Sequence, residues 1–255
     1  MSKRSGRNLS VTPFRALVAD LTHFCQKVPG ATVERPMSLG RLMEARQACV
    51  PRPSWCAIFL KAMSTVAARR PELRRAYMPF PWPHLYEHPV NIANFTIERR
   101  YHDEDVVFFV QVRSPERRTL AHLDRIIRTC QVEPVESVKF FCRAIRMSQV
   151  PWPFRRLAMW VSLNLFGKLR CHNFGTFSLT SVAAEGAGIV VLTPLLTSTL
   201  HYGLFDDRGG LPMRMTIDHR AIDGAIAARA LVEMEQVLMT DILDEVLTSR
   251  TIKAA

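Results

Sequence analysis

The string Asp218-His219-Arg220-Ala221-Ile222-Asp223-Gly224 joins a run rich in Met, Thr and Ile to a long amphipathic segment. Residues 211–217 before it read as a strand. Residues 221–247 after it read as a helix, with Ala227, Leu231, Met234, Val237 and Leu238 on one side. A histidine at a strand end sits on rigid backbone and can project into a cleft. Its neutral form is abundant near neutral pH, so it suits proton abstraction. Asp223, four residues on, can fix the turn, and Gly224 allows close packing where the helix begins. Of the eight histidines, His219 alone has Asp at that spacing. The plainer reading of the string is a structural histidine with Asp223 capping the last helix.

Upstream, helical spacing predicts helices over 12–27, 38–48, 55–69 and 114–130, with a further candidate over 135–147. Thr12-Pro13 is a cap and first-turn pair, and Pro29-Gly30 stops the first helix. Residues 90–97 and 106–112 are rich in β-branched and aromatic side chains and read as strands. So do 176–182, 189–192 and 200–205, the last set off by the turn Asp206-Asp207-Arg208-Gly209-Gly210. The order is mixed α/β without regular βαβ alternation, which disfavours a doubly wound parallel sheet.

The 255 residues are 48% hydrophobic and 22% charged, which suits one domain with a buried core. Repeats and Gly/Ser-rich linkers are absent from the sequence. No uncharged apolar run reaches the ~18–20 residues of a membrane span. The basic start, 1–7, has no apolar run behind it, so a secretory signal is not expected. Six dispersed cysteines form no CxxC pair, which indicates reduced thiols in a cytoplasmic protein rather than zinc or disulfides. The net charge of +11 favours anionic partners. No zinc finger, RNA-recognition signature or basic heptad region accompanies it, so nucleic acid is not expected.

Around 218–224 the sequence resembles the catalytic domain of the dihydrolipoamide acyltransferases of 2-oxoacid dehydrogenase complexes, whose fold chloramphenicol acetyltransferase shares. The resemblance extends in order over nearly the whole chain: LSVTPFRALVADLTHF from residue 9, FLKAMSTVAARRPELRRAY from 59, LYEHPVNIANFTI from 85, GTFSLTSVAAEG from 175 and Pro194. It implies an α/β fold, a two-layer mixed β-sheet with packed helices, as one domain over 8–250. It implies transfer of an acyl group from a thioester of coenzyme A or an acidic acyl carrier protein to a thiol, hydroxyl or amine. His219 matches the catalytic base. Thr180 matches the hydroxyl that stabilises the oxyanion, with Ser181 as the fallback donor. Asp223 matches the motif's aspartate, and Arg15 is the candidate partner for it. The resemblance further implies a homotrimer with active sites between subunits, coenzyme A thioester as co-substrate, no tightly bound cofactor and no metal. The alternative is a catalytically silent trimeric scaffold or a lipid- or partner-binding protein on the same fold.

Lipoyl and subunit-binding domains are not expected with this domain, and the chain departs from the family in Tyr101-His102-Asp103-Glu104-Asp105 where the relatives have an apolar strand. It is expanded over 133–174, including PWPFRRLAMWVSLNLFGKLR from 151. That stretch reads as a core or subunit-contact helix, a lid over an acyl channel, or a surface that meets lipid. Its Arg and Lys do not collect on one helical face, which counts against a simple interfacial helix; membrane contact is left open and not predicted. His84 and His88 are four apart, but Pro81, Pro83 and Pro89 argue against a metal-binding helix. Cys171 and His172 could touch the site. Arg69-Arg70 with Arg74-Arg75 is either a solvated face or a site for coenzyme A phosphates or a carrier protein.

Overall fold

The computed structural model describes residues 6–190 and 194–254. The first helix, α1 (Pro13–Cys25), is capped by Thr12, whose hydroxyl accepts from the Arg15 N–H at 3.2 Å, with Pro13 at its first position. It leads into β1 (Gly30–Ser38), then α2 (Gly40–Gln47) and α3 (Trp55–Arg69). α3 begins at the Ser54 cap and ends before Pro71. It is the central helix, burying Ile58, Phe59, Leu60, Met63 and Val66. A small hairpin follows, β2 (Arg75–Met78) and β3 (His84–Glu87), and then β4 (Ile92–Tyr101) and β5 (Glu104–Arg113). Next come α4 (Leu120–Val132), α5 (Lys139–Gln149), α6 (Trp152–Asn164) and α7 (Gly167–Phe174). The chain closes with β6 (Phe177–Thr180), β7 (Ser198–Tyr202), β8 (Gly210–Asp218) and α8 (Gly224–Val237). α8 runs through a π-helical turn over Leu238–Ile242 into α9 (Leu243–Ala254).

β1 to β8 without the hairpin make the six-stranded sheet β1-β8-β7-β6-β4-β5. β4, β6 and β7 run parallel and the other neighbours antiparallel, giving the expected mixed sheet. The register separates two chemically different faces, because successive side chains point to opposite sides. One face carries Phe95, Ile97, Phe108, Val110, Leu179, Leu200, Met213, Met215 and Ile217, all buried. α3 and α8 pack on it, and α5 stacks Phe141 on Phe108 at 4.3 Å between centroids. The other face is polar. It holds the hydroxyl pairs Thr32–Thr216 at 2.8 Å, Ser178–Thr199 at 3.0 Å and Thr96–Thr180 at 3.2 Å, with His201 and Arg214 between them.

Several boundaries differ from the sequence reading. β1 and the β2–β3 hairpin fall in stretches for which the sequence reading gives no element. α4 starts at Leu120 rather than 114, since Pro115 opens a short 3-10 turn and Thr119 supplies the cap. Of the strand expected over 189–192, residues 189 and 190 are not in a strand and 191–192 lie outside the described residues. The expansion at 133–174 is a 3-10 turn followed by α5, α6 and α7. Among the described residues no helix is long and apolar enough to cross a membrane.

Candidate functional site

β8 ends at the fully buried Asp218, and the chain turns at once. Asp218 accepts from its neighbour Arg220 three times: from Nε and Nη2 at 2.9 Å each, and from the backbone N–H at 3.0 Å. The Arg220 guanidinium also lies over the Tyr77 ring, 4.7 Å from its centroid. A bidentate pair of this kind has a fixed geometry. The Ala221 and Ile222 N–H groups donate back to the Asp218 carbonyl, and the His219 N–H donates to the Pro29 carbonyl at 2.9 Å. His219 is thereby held from both sides of its own backbone while its ring stays half-exposed. Its Nδ1 lies 3.5 Å from Asp223 Oδ1. Asp223 occupies the cap position of α8 but makes no side-chain capping bond, so the plainer reading of it as a helix cap does not hold.

Thr180 closes β6 and is partly exposed on the polar face. Its hydroxyl pairs with Thr96, and its carbonyl lies 3.1 Å from Nδ1 of the buried His201. His201 Nε2 accepts the Ile189 N–H at 2.9 Å. Both ring nitrogens are therefore used in the neutral form, with Nδ1 donating. Burial pushes the His201 pKa below its usual value of 6.5, Arg214 acts the same way, and the bond to Thr180 opposes them. Arg214 also donates to the Ile189 carbonyl at 3.0 Å and pairs with Glu34 across the sheet. The Ser181 hydroxyl, in contrast, is spent locally: it donates to the Tyr202 carbonyl at 2.9 Å and accepts from the Ala183 N–H at 3.1 Å.

One chain does not bring His219 and Thr180 together. Thr180 is level with His201, and Asp218 hydrogen-bonds Thr197 at the opposite end of β7. Four residues of strand separate those levels, about 13 Å along the strand before the sideways steps across β7 are added. Near Thr180 the polar face carries Phe109, which pairs with Thr96, and Val107; both are nearly half-exposed.

Arg15 does not reach Asp223 within the chain. It lies in the first turn of α1, where Thr12 donates to Glu104 on the β4–β5 hairpin at 2.6 Å. α1 is about 20 Å long, and only its far end leads to Pro29 beside His219. The paired arginine of the motif is Arg220, two residues from its own carboxylate. Neither Arg220, Asp218 nor His201 was assigned a role from sequence. The Asp-x-Arg spacing in the motif was the available signal for the first two.

The other candidates are absorbed by structure. Arg69 pairs with Glu233 and Asp241, Arg70 with Glu72 and Glu233, and Arg75 with Glu87, while Arg74 donates to the carbonyls of Ala67 and His88. His84 bonds the Trp82 carbonyl on a strand, and His88 is buried against the Tyr86 hydroxyl at 3.1 Å. Cys171 is buried in α7, and desolvation pushes its thiol up to about 11; His172 beside it is exposed. Among the described residues no group of three or more His, Cys, Asp or Glu is placed to hold a metal, and the six cysteines are free.

No family model and no curated protein matches the chain by sequence. Solved structures do match it in three dimensions. The dihydrolipoamide acetyltransferase of Azotobacter vinelandii superposes with a TM-score of 0.67 at 16% identity, covering 95% of each chain. The cubic core of the pyruvate dehydrogenase multienzyme complex gives 0.61 at 15% identity, again over 95% of each. Chloramphenicol acetyltransferase gives 0.52 at 15% identity, over 86% of this chain and 94% of that one. The fold is the one these acetyltransferases share, as the sequence resemblance led one to expect.

Proposed function

We propose that this chain is an acyltransferase that moves an acyl group from a thioester to a thiol, hydroxyl or amine acceptor, with its active sites between subunits of a homotrimer. The observation that carries the reading is the turn at 218–220, which holds an exposed histidine at the end of a central strand. The Azotobacter neighbour was studied for the catalytic role of a serine, a histidine and an asparagine four residues beyond that histidine. His219 and Asp223 repeat that spacing, and Thr180 offers a hydroxyl.

In the proposed reaction the acceptor's proton passes to His219. Nδ1 is turned toward Asp223, which leaves Nε2 to receive it. The freed nucleophile forms a bond to the thioester carbonyl carbon, and the oxyanion accepts a hydrogen bond from Thr180. Collapse breaks the carbon–sulfur bond, and the departing thiolate takes the proton from His219. A positioned base contributes roughly 10²–10⁴-fold, and one oxyanion donor about 2.7–4 kcal/mol.

The separation of His219 from Thr180 in one chain supports a site made by two. A head-to-tail contact that closes as a ring would set the His219 end of one subunit against the Thr180 face of the next, covering Phe109 and Val107. The donor is coenzyme A thioester or an acyl carrier protein with an acidic surface. Reduced cysteines fit a cytoplasmic setting. The test is thiol release across a panel of acyl-coenzyme A thioesters and carrier-bound donors with mixed small acceptors. Release is expected from the wild type and a fall of at least about 10²-fold in His219→Ala at unchanged oligomeric mass. Release that survives His219→Ala overturns the mechanism, and none from any donor favours the silent scaffold.

A further inference from the structure

α6 is inside out. Its buried positions hold Arg155 and Ser162 with Met159 and Leu163, while its exposed positions are Trp152, Pro153, Phe154, Leu157 and Ala158. Trp152, Phe154 and Leu157 are 57%, 67% and 58% exposed. A helix whose outer face meets water has the opposite arrangement. The cause is on α1. Asp20, buried, takes Arg155 at Oδ2 and Arg156 at Oδ1, both at 2.6 Å, and Arg155 is buried with it. Those two arginines are the ones that spoil the helical pattern in sequence. With Arg155 and Arg156 drawn toward Asp20, the exposed positions of the helix are all apolar, and the Arg156 guanidinium borders them over the Trp152 ring, 5.1 Å from its centroid. Phe80 packs on Trp160 of α6 at 5.4 Å, and it and Trp82 are exposed, so apolar surface continues onto the loop before β3.

The surroundings are cationic. Residues 137–184 contain seven Lys and Arg and no Asp or Glu. Arg155 and Arg156 are spent on Asp20, and Arg170 is buried against the carbonyls of Tyr77, Leu163 and Leu195. Lys139, Arg143, Arg146 and Lys168 remain on the surface. Arg143 donates to neutral groups, the Asn173 side chain and the His172 carbonyl. Lys139, Arg143 and Arg146 share one face of α5 with Cys142, Met147 and Val150, bordering an open groove of about 420 Å³. The groove ends at Val150, two residues from Trp152.

We propose that this face docks on an anionic phospholipid surface, with α6 parallel to the bilayer, Trp152, Phe154 and Leu157 in the headgroup–acyl boundary, and Lys139, Arg143, Arg146 and Lys168 against lipid phosphates. An apolar helix face flanked by cations and bearing tryptophan is the chemistry such a surface selects. Thirteen residues make about 20 Å of helix, short of the ~30 Å needed to span, so α6 lies on the membrane. A second copy docked face to face would bring two cationic surfaces together, which charge disfavours.

The test is co-sedimentation of the full chain with phosphatidylcholine vesicles, with and without phosphatidylglycerol, at low and high salt. Binding is expected to need phosphatidylglycerol and to weaken with salt. Phe154→Ser with Leu157→Ser, and separately Lys139→Glu with Arg146→Glu, are each expected to weaken it at least about tenfold, with melting temperature and oligomeric mass unchanged. His219→Ala is expected to bind as the wild type does, so the result is independent of acyl transfer. No binding to phosphatidylglycerol vesicles at low salt overturns the proposal. So does undiminished binding by the Phe154/Leu157 variant, and so does dissociation of the oligomer by that variant, which would make the face a subunit contact.

Discussion

The turn at His219 and the end of β6 at Thr180 belong to one sheet, yet they are built in different ways. The first is local: Asp218, Arg220 and the backbone of 218–222 account for most of its bonds. The second is assembled from afar. Thr180 is placed by Thr96 from β4 and His201 from β7, and His201 and Arg214 hold the segment at Ile189 beside it. A self-contained turn keeps its shape when its surroundings change, whereas a composite one depends on every strand it draws from. On the proposed reading, a site split this way pairs a pre-formed base with an adjustable oxyanion donor.

The strongest test of that division is complementation. Thr180→Val and His219→Ala are each expected to lower transfer by at least about 10²-fold when assembled alone. In randomly mixed trimers about one interface in four receives an intact histidine and an intact threonine. Co-expression should therefore restore about a quarter of wild-type activity; failure to restore any would place both groups in one chain's site. Arg220→Ala removes the partner of a buried carboxylate and should cost about 3 kcal/mol or more of stability, read as the shift in denaturant midpoint. A small loss there would mean that the turn stands without its ion pair.

At the other end, the pH dependence of stability reports on His201. Its folded pKa lies below the unfolded 6.5, so its contribution is complete above about pH 6.5 and is lost as pH falls toward the folded value. Buried His88, lowered by desolvation and by Arg113, Arg74 and Lys168, adds in the same direction. Melting temperatures should drop on acidification from pH 7, and His201→Gln should flatten the curve. That variant should also lose about 1–3 kcal/mol at pH 7 from disturbed bonds to Thr180 and Ile189. The smallest effect expected is from Ser181→Ala: about 1 kcal/mol in stability and unchanged transfer, since its hydroxyl is occupied by Tyr202 and Ala183. A collapse of transfer there would move the oxyanion donor from Thr180 to Ser181.

The same contrast explains what could be read from sequence. α3 follows the expected 55–69 because its cap, apolar spacing and terminating Pro71 are all local. β4, β5 and the strand–turn–helix at 218–224 are legible for the same reason, and with them His219. β1 is not, because it is an outer strand that buries only Met37, so no apolar alternation marks it. The apolar exterior of α6 depends on Asp20, 135 residues away from Arg155. His201 carries no motif at all; its role comes from the register of β6 on β7. Arg15 was misplaced because a helix's position in sequence does not say which of its ends approaches the site.

Among the described residues, one side of β1 pairs with no strand. Along it Pro36 stands directly opposite Pro212 of β8. Neither residue has an N–H to exchange, so this is a pair whose backbone groups point away from each other. The donor that Pro36 lacks is therefore missing from the free edge, with Glu34 and Arg35 just before it. An incoming strand would find a gap in the ladder and a pair of charges where it needs continuity. This edge of the sheet is thus protected against fibre-like growth, and Pro36→Val is the change that would restore the missing donor there.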